Sequence, residues 1–343
     1  MDLLNKLNKF EKLNNVLSKS FKHNSIFSSR KKLSESFLFE KIEEKPEKEE
    51  SLEDASLSSQ KVNIKKIYNI KPNTQNIFYF DVKTRRIEEK RVIFNKLPFE
   101  AFQENQAILN YKNNLYLSGG FNLKIFYKYD LLSNKFLKLK EMPTVHTSHA
   151  MIGLGNCIVI LGGDSSKTVE KFYMNENIWE NMNDLNDIRI RPCCFGLNNK
   201  YLFVFGGLVK NENDKILYIE KIDISCSKNI FEKIKLNYKN DIFLPKNCGF
   251  INLKDNQILI IGGKNNSNNP NKDENKNNCK IIIKNKIIGI EKEDKISLPK
   301  NDDFNGKTFN YLGEGLYGEF SSISHRTFYL INILTGIAEV INK

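Results

Sequence analysis

Beyond about residue 61 the chain is a succession of short apolar runs rich in Ile, Phe, Tyr and Val, separated by Asn, Asp, Gly and Lys. Short runs bounded by turn formers predict an all-β domain of many short strands. The first 22 residues follow another period. Leu3, Leu7, Phe10, Leu13, Leu17 and Phe21 recur at three- and four-residue steps, and Lys6, Lys9, Lys12, Lys19 and Lys22 fill the gaps. That spacing predicts an amphipathic helix over 1–22. Residues 23–60 carry neither pattern. Asn24 to Ser36 is mostly polar, and Glu40 to Asp54 reads EKIEEKPEKEESLED. Such a segment cannot bury enough apolar surface to offset the entropy of ordering, so 23–60 reads as a charged disordered linker. The expected folded body is 61–343.

Within that body one form repeats. NNLYLSGG, NCIVILGG, KYLFVFGG and NQILIIGG each end an apolar strand in two glycines: Gly119/Gly120, Gly162/Gly163, Gly206/Gly207 and Gly262/Gly263. The pairs are 43, 44 and 56 residues apart. A second signal follows them. Two large residues stand seven apart: Tyr129 and Phe136, Phe172 and Trp179, and, before the first glycine pair, Phe80 and Ile87. Ile222 and Phe231 repeat this with two extra residues, and FYLINILTGIAEV from Phe328 gives a last copy.

Over about 65–343 this form resembles the kelch repeat: an apolar strand, a double glycine, then a Tyr and a Trp at fixed separation. Trp179 alone keeps the Trp position, and Ser321/Ser322 fall near where the last glycines would stand. The resemblance implies a six-bladed, kelch-type β-propeller with an N-terminal helical or disordered extension. It also implies a protein that binds other proteins. One four-stranded blade cannot bury both faces, whereas blades stacked around an axis can. Third strands are expected at Phe78, Phe126, Phe172, Tyr218, Ile282 and Tyr329, which makes six blades. Sequence for the first blade is short, so ring closure is expected to pair an N-terminal strand with C-terminal ones. Trp179 is expected to be buried between neighbouring blades.

Composition changes this picture little. The formal net charge is +12. The lysines are scattered among Asn and Glu, with no recognition helix, aromatic RNA-binding strand or arginine run, so nucleic-acid or membrane binding is not expected. Asn, at roughly one residue in seven or eight, is a compositional bias and is given no functional weight. The cysteines Cys157, Cys193, Cys194, Cys226, Cys248 and Cys279 form no CxxC pair. They read as small buried hydrophobes of a reducing, cytoplasmic compartment. The basic N-terminal helix partly resembles a mitochondrial presequence, but Asp2 and Glu11 count against one.

Candidate chemistry is sparse. His146 and His149 stand three apart in VHTSHA, without a fixed carboxylate or thiolate that would complete a metal site. Glu314 and Glu319 lie close together near Gly-rich turns and are assigned no acid–base role. No Gly-rich phosphate loop or nucleophile elbow appears, so no catalytic residue, metal or cofactor is expected. In a propeller, the second-to-third-strand loops share one end with the links between blades. Two of them are long: LVKNENDK after Gly207 and KNNSNNPNKDENKNN after Gly263. The inter-blade links bring Asn105, Gln106, His146, His149, Arg189, Arg191, Lys246 and Asn247 towards the same mouth. A mixed polar ring of this kind suits a peptide or an acidic loop. The expected function is therefore a protein-interaction module or scaffold for an unidentified protein partner. The alternative is a propeller enzyme acting on a small molecule or sugar.

Overall fold

The computed structural model describes residues 64–92, 99–130, 133, 135–164, 166–209, 218–236, 248–253, 257–262, 278–284, 287–293, 296, 298, 304, 307–321 and 326–343. The expected helix over 1–22 and linker over 23–60 lie outside them. The described chain is all-β, and no helix among the described residues is long and apolar enough to cross a membrane.

The strands form six antiparallel sheets arranged as the blades of a propeller. Blade 1 has three strands: β1 (Lys66–Ile70), β2 (Asn76–Asp81) and β3 (Arg86–Arg91). Blade 2 has β4 (Ala107–Tyr111), β5 (Asn114–Ser118), β6 (Phe126–Asp130) and β7 (Lys135–Lys138). Blade 3 has β8 (Ala150–Leu154), β9 (Cys157–Leu161), β10 (Val169–Tyr173) and β11 (Ile178–Asn181). A two-stranded ribbon, β12 (Arg189–Ile190) with β15 (Leu208–Val209), stands at the entrance of blade 4. Blade 4 itself comprises β13 (Cys193–Leu197), β14 (Tyr201–Phe205), β16 (Tyr218–Asp223) and β17 (Glu232–Lys235). Blade 5 has β18 (Gly249–Asn252), β19 (Gln257–Ile261), β20 (Asn278–Lys284) and β21 (Ile287–Glu293). Blade 6 has β22 (Asn310–Gly313), β23 (Leu316–Phe320), β24 (Thr327–Asn332) and β25 (Ala338–Asn342). The third strands fall where the sequence predicts them.

Pairing register explains the seven-residue signal. Tyr129 faces Phe136, Phe172 faces Trp179 and Phe80 faces Ile87 across the outer hairpins. Residues directly opposite share a sheet face, so each pair packs as one unit. Those units fill the seams between blades. Tyr116 and Phe126 of blade 2 pack on Ile158, Ile160 and Phe172 of blade 3. Leu161 and Val169 of blade 3 meet Cys194, Leu202 and Val204 of blade 4. Phe195, Phe203 and Phe205 of blade 4 meet Phe250, Ile258 and Ile260 of blade 5. Ile251, Leu259 and Ile261 then meet Tyr329 and Ile331 of blade 6. On the other side, Tyr68 and Ile70 of blade 1 pack with Leu115, Leu117 and Tyr129 of blade 2.

The last seam closes the ring, and not as expected. No strand is exchanged: β1 pairs with β2, and blade 6 draws all four strands from the C-terminal end. Closure is by side-chain packing. Ile67, Phe78 and Phe80 of blade 1 bury Phe320, Phe328 and Leu330 of blade 6, with the Phe80 and Phe328 rings stacked at 4.0 Å. Arg85 to Glu339 and Lys343 to Glu89 add ion pairs on the rim. Exposed pairs of this kind contribute little, so the apolar stack holds the closure.

The short blade leaves β1 as an inner edge, and a side chain covers it. Asn110, from the neighbouring blade, accepts a hydrogen bond from the Tyr68 N–H at 2.9 Å and donates one to the Tyr68 carbonyl at 2.8 Å. Its amide thus stands in for a peptide group of the missing strand, which blunts an edge otherwise open to stray pairing.

Trp179 lies in the seam between blades 2 and 3 but is only half-buried. Its ring meets Phe126 edge-on at 5.1 Å and Phe172 at 4.9 Å, while Nε1 donates to the Lys140 carbonyl. Trp179→Ala should therefore destabilise by about 2–3 kcal/mol, less than truncation of a fully buried aromatic, and Trp179→Phe, the residue at the matching position 136, by under about 1.5 kcal/mol. Urea melts of the two variants check both values.

Candidate functional site

The mouth is built by main-chain geometry. First strands β4, β8 and β13 lie side by side, which puts the entry loops of blades 2, 3 and 4 near the axis. The second glycine of a pair donates its N–H to the entry loop of the next blade: Gly120 to the His146 carbonyl at 3.1 Å, and Gly163 to the Arg189 carbonyl at 2.9 Å. Both glycines of the first three pairs, and Gly262 of the fourth, sit at positive φ. A Cβ on Gly162 would lie 2.9 Å from the Arg189 carbonyl oxygen of the next entry loop, and one on Gly163 would lie 2.5 Å from the Thr147 carbonyl oxygen of its own blade's entry loop, so a larger residue at either would push a loop away.

The entry loops are also joined to one another. Ser148 N–H donates to the Asn105 carbonyl at 3.1 Å, and Arg191 N–H donates to the Ser148 carbonyl at 2.8 Å. Asn105, Ser148 and Arg191 thus form an inner main-chain ladder across blades 2, 3 and 4. Ser148 and Arg191 adopt φ of 55° and 51°, a conformation that non-glycine residues avoid unless their surroundings impose it.

Behind the ladder lies a repeated polar lock. In blade 4, Arg189 is fully buried. Its Nε donates to Glu220 Oε1 at 2.7 Å, Nη1 donates to the Gly206 carbonyl at 3.0 Å, and the guanidinium lies over the Tyr218 ring. Glu220 also accepts from Asn186 N–H and from its side-chain amide. In blade 3, His146 takes the place of Arg189. Its Nδ1 faces the Gly162 carbonyl at 2.9 Å and therefore carries a proton. Its Nε2 lies 3.0 Å from Thr144 Oγ1 and 3.3 Å from Glu170 Oε2, the latter outside hydrogen-bond geometry. Glu170 and Glu220 hold the same register on β10 and β16, opposite Ile160 and Val204. In both blades the lock ties entry loop, first glycine and third strand together.

Of the residues predicted at the mouth, three are thus turned inward. His146, His149 and Arg189 are buried, and their polar atoms serve the blade rather than the solvent. His149 Nε2 sits 2.7 Å from Ser118 Oγ, and its Nδ1 has no partner. Burial, with the His146 ring nearby, holds the His149 pKa well below the usual histidine range. Asn105 and Gln106 are half-buried and Arg191 is exposed. Gln106 occupies in blade 2 the place that His149 occupies in blade 3, one residue before the first strand. Lys246 and Asn247 lie outside the described residues, as do most of the two long loops.

Two exposed apolar residues share this end. Phe121, directly after Gly120, is 70% exposed, and Val145, directly before His146, is 39% exposed. Their loops are joined by the Gly120 to His146 bond. Apolarity alone does not single them out in the sequence; the register of that bond does.

A second polar group lies at the ring closure. Asn69 of β1 and Glu319 of β23 stand two residues before the turn position held by the first glycine in other blades. Leu117, Ile160, Val204 and Ile260 fill the equivalent places. Lys307 Nζ reaches Asn69 Oδ1 at 3.2 Å and lies 3.9 Å from Glu319 Oε1. Glu319 accepts from Phe320 N–H and from the Asn310 amide. Burial nevertheless pushes its pKa up to about 7, with Lys307 opposing the rise. Among the described residues no group of three or more His, Cys, Asp or Glu is placed to hold a metal ion.

The chain matches no protein-family model, and a search of curated proteins returns no match. What the structure defines is a six-bladed all-β propeller.

Two predictions follow from the lock and the buried titratable groups. Arg189→Ala strands the buried Glu220 carboxylate and should cost about 3–5 kcal/mol, whereas Arg191→Ala should change stability by under about 0.5 kcal/mol. Chemical denaturation of both variants measures the contrast. The pH dependence has two opposing parts. The unfolded chain protonates His149 near its ordinary value of 6.5 while the folded chain resists, so stability is lost as pH falls below about 6.5. Glu319 acts the other way: the folded carboxyl binds its proton near pH 7, the unfolded one near 4.5, so stability is gained as pH falls through that window. His149→Gln should remove the acid-side loss, and Glu319→Gln should raise the urea midpoint at pH 8.5. Melts at pH 5.5, 7 and 8.5 separate the two.

Proposed function

We propose that the chain is a diverged kelch-type propeller that works as a protein-interaction module or scaffold, with the entry-loop end as its binding face. The kelch reading is supported by the glycine pairs at the ends of second strands and by the opposed aromatic pairs on the outer hairpins. The functional reading rests chiefly on the Asn105–Ser148–Arg191 ladder. It holds the entry loops in one arrangement before any partner arrives, so docking costs little ordering entropy.

The contact set consists of Asn105, Gln106 and Arg191, with Lys246 and Asn247 as the corresponding blade 5 positions. Phe121 and Val145 give it an apolar edge. His146, His149 and Arg189 act from behind by holding the loops. Arg191 can take a carboxylate on two parallel N–H groups, and Phe121 offers a large aromatic surface. The partner is accordingly a protein presenting an acidic side chain beside an apolar one.

Affinity purification from the native cell with the full chain should retain a protein that the Phe121→Ala/Arg191→Ala variant loses. With that partner purified, each single substitution should weaken binding about tenfold or more. Unchanged affinity in the double variant would place the binding surface elsewhere.

A further inference from the structure

The seam between blades 4 and 5 holds two thiols in contact. Cys193 opens β13 and Cys248 directly precedes β18, and their sulfurs lie 3.8 Å apart in the same apolar cluster. Both are reduced and fully buried. We propose that Cys193 and Cys248 form an oxidation site that bridges blades 4 and 5 when the chain meets a peroxide.

The two other described cysteines of blade 4 are placed differently. Cys194, next along the strand, points to the opposite face and packs against the blade 3 seam, because successive strand residues alternate in direction. Cys226 is exposed and lies on the outer hairpin of blade 4, in a turn between β16 and β17. No oxidised glutathione-sized reagent fits against fully buried sulfurs, whereas hydrogen peroxide is barely larger than water. The first thiolate attacks one peroxide oxygen, giving a sulfenic acid and hydroxide. The neighbouring thiol then attacks that sulfur, forming the S–S bond as the sulfenic oxygen leaves as water. Overall two thiols are oxidised by two electrons, and one peroxide is reduced to two waters. Contact at 3.8 Å leaves the second sulfur adjacent to the first, and condensation draws the two to the S–S bond length of about 2.05 Å.

The full chain is treated with stoichiometric hydrogen peroxide at pH 7.5, quenched, alkylated under denaturing conditions and digested without reductant. The expected product is a disulfide-linked peptide pair containing Cys193 and Cys248, 2 Da lighter than the sum of the reduced peptides. It should persist in Cys226→Ser and shift the thermal midpoint upwards by roughly 5 °C, since the bridge closes a long loop. Recovery of both cysteines as alkylated thiols after Cys226 has been consumed would overturn the proposal. So would Cys193 or Cys248 linked to Cys194 or carried on to sulfinic acid. The peptide map of the unmutated chain decides the matter even if a Cys248→Ser control folds poorly.

Discussion

The contact between a glycine pair and the next blade's entry loop is the constraint on which the rest of the ring depends. It sets the distance between neighbouring blades by main-chain atoms, not by side-chain volume. Gly163 N–H on the Arg189 carbonyl and Gly120 N–H on the His146 carbonyl bring two backbones together, and a Cβ on the preceding glycine, Gly162 or Gly119, would meet the same carbonyl oxygen. Once the loops are that close, the polar lock has a fixed target: the carbonyl of the first glycine in the same blade. The glycines therefore position Arg189 and His146, and these in turn hold Glu220 and Glu170 on the third strands. A buried ion pair is weak support for stability in general, yet breaking one partner is costly. Here the pair confers register, because it joins three separate strand ends of one blade.

Blades 1 and 6 lack the glycine pair and solve the same problem differently. Ser321 keeps the turn hydrogen bond of the first glycine, donating its N–H to the Thr327 carbonyl as Gly119 does to Ile125, without adopting positive φ. Polar groups, Asn69 and Glu319, replace aliphatic ones beside it, and Lys307 links them. The closing seam consequently combines an apolar stack, Phe80 on Phe328, with a buried carboxyl whose proton affinity is near neutral. Ring closure by packing alone is less constrained than closure by a shared strand. Asn110 compensates in part, because it ties blade 1 to blade 2 across the edge that a further strand would have covered.

Most of the architecture was legible in the sequence because it arises from local spacing. Glycine pairs mark second strands, and residues seven apart mark opposed positions on the outer hairpin, so both signals survive divergence. Closure was not legible. A short first blade suggests a borrowed strand, and nothing in one sequence shows that Asn110 caps the edge instead. For the candidate residues, the sequence predicts a shared end of the ring, and the structure joins the entry loops of blades 2, 3 and 4. Side-chain direction within those loops was not legible: position 189 turns inward to Glu220 while position 191, two residues on, is exposed. In an extended strand those two would share a face. The positive φ at Arg191 breaks that alternation, and only glycine would have advertised such a φ in the sequence.

That break is also what separates the structural and the presenting residues of the mouth. Arg189 and Arg191 are chemically identical and two positions apart, yet one is consumed by a buried carboxylate and the other is left to solvent. The conformational cost of a left-handed arginine, of order 1 kcal/mol, is offset by the Arg191 N–H to Ser148 carbonyl bond. Ser148 repeats the conformation one blade earlier. A strained backbone repeated in successive blades, at the one place where their loops meet, holds the exposed side chains on a fixed frame. In the proposed binding role, rigid presentation of a few polar and aromatic groups would lower the ordering cost of docking, and the same main-chain bonds that join the entry loops would supply that rigidity.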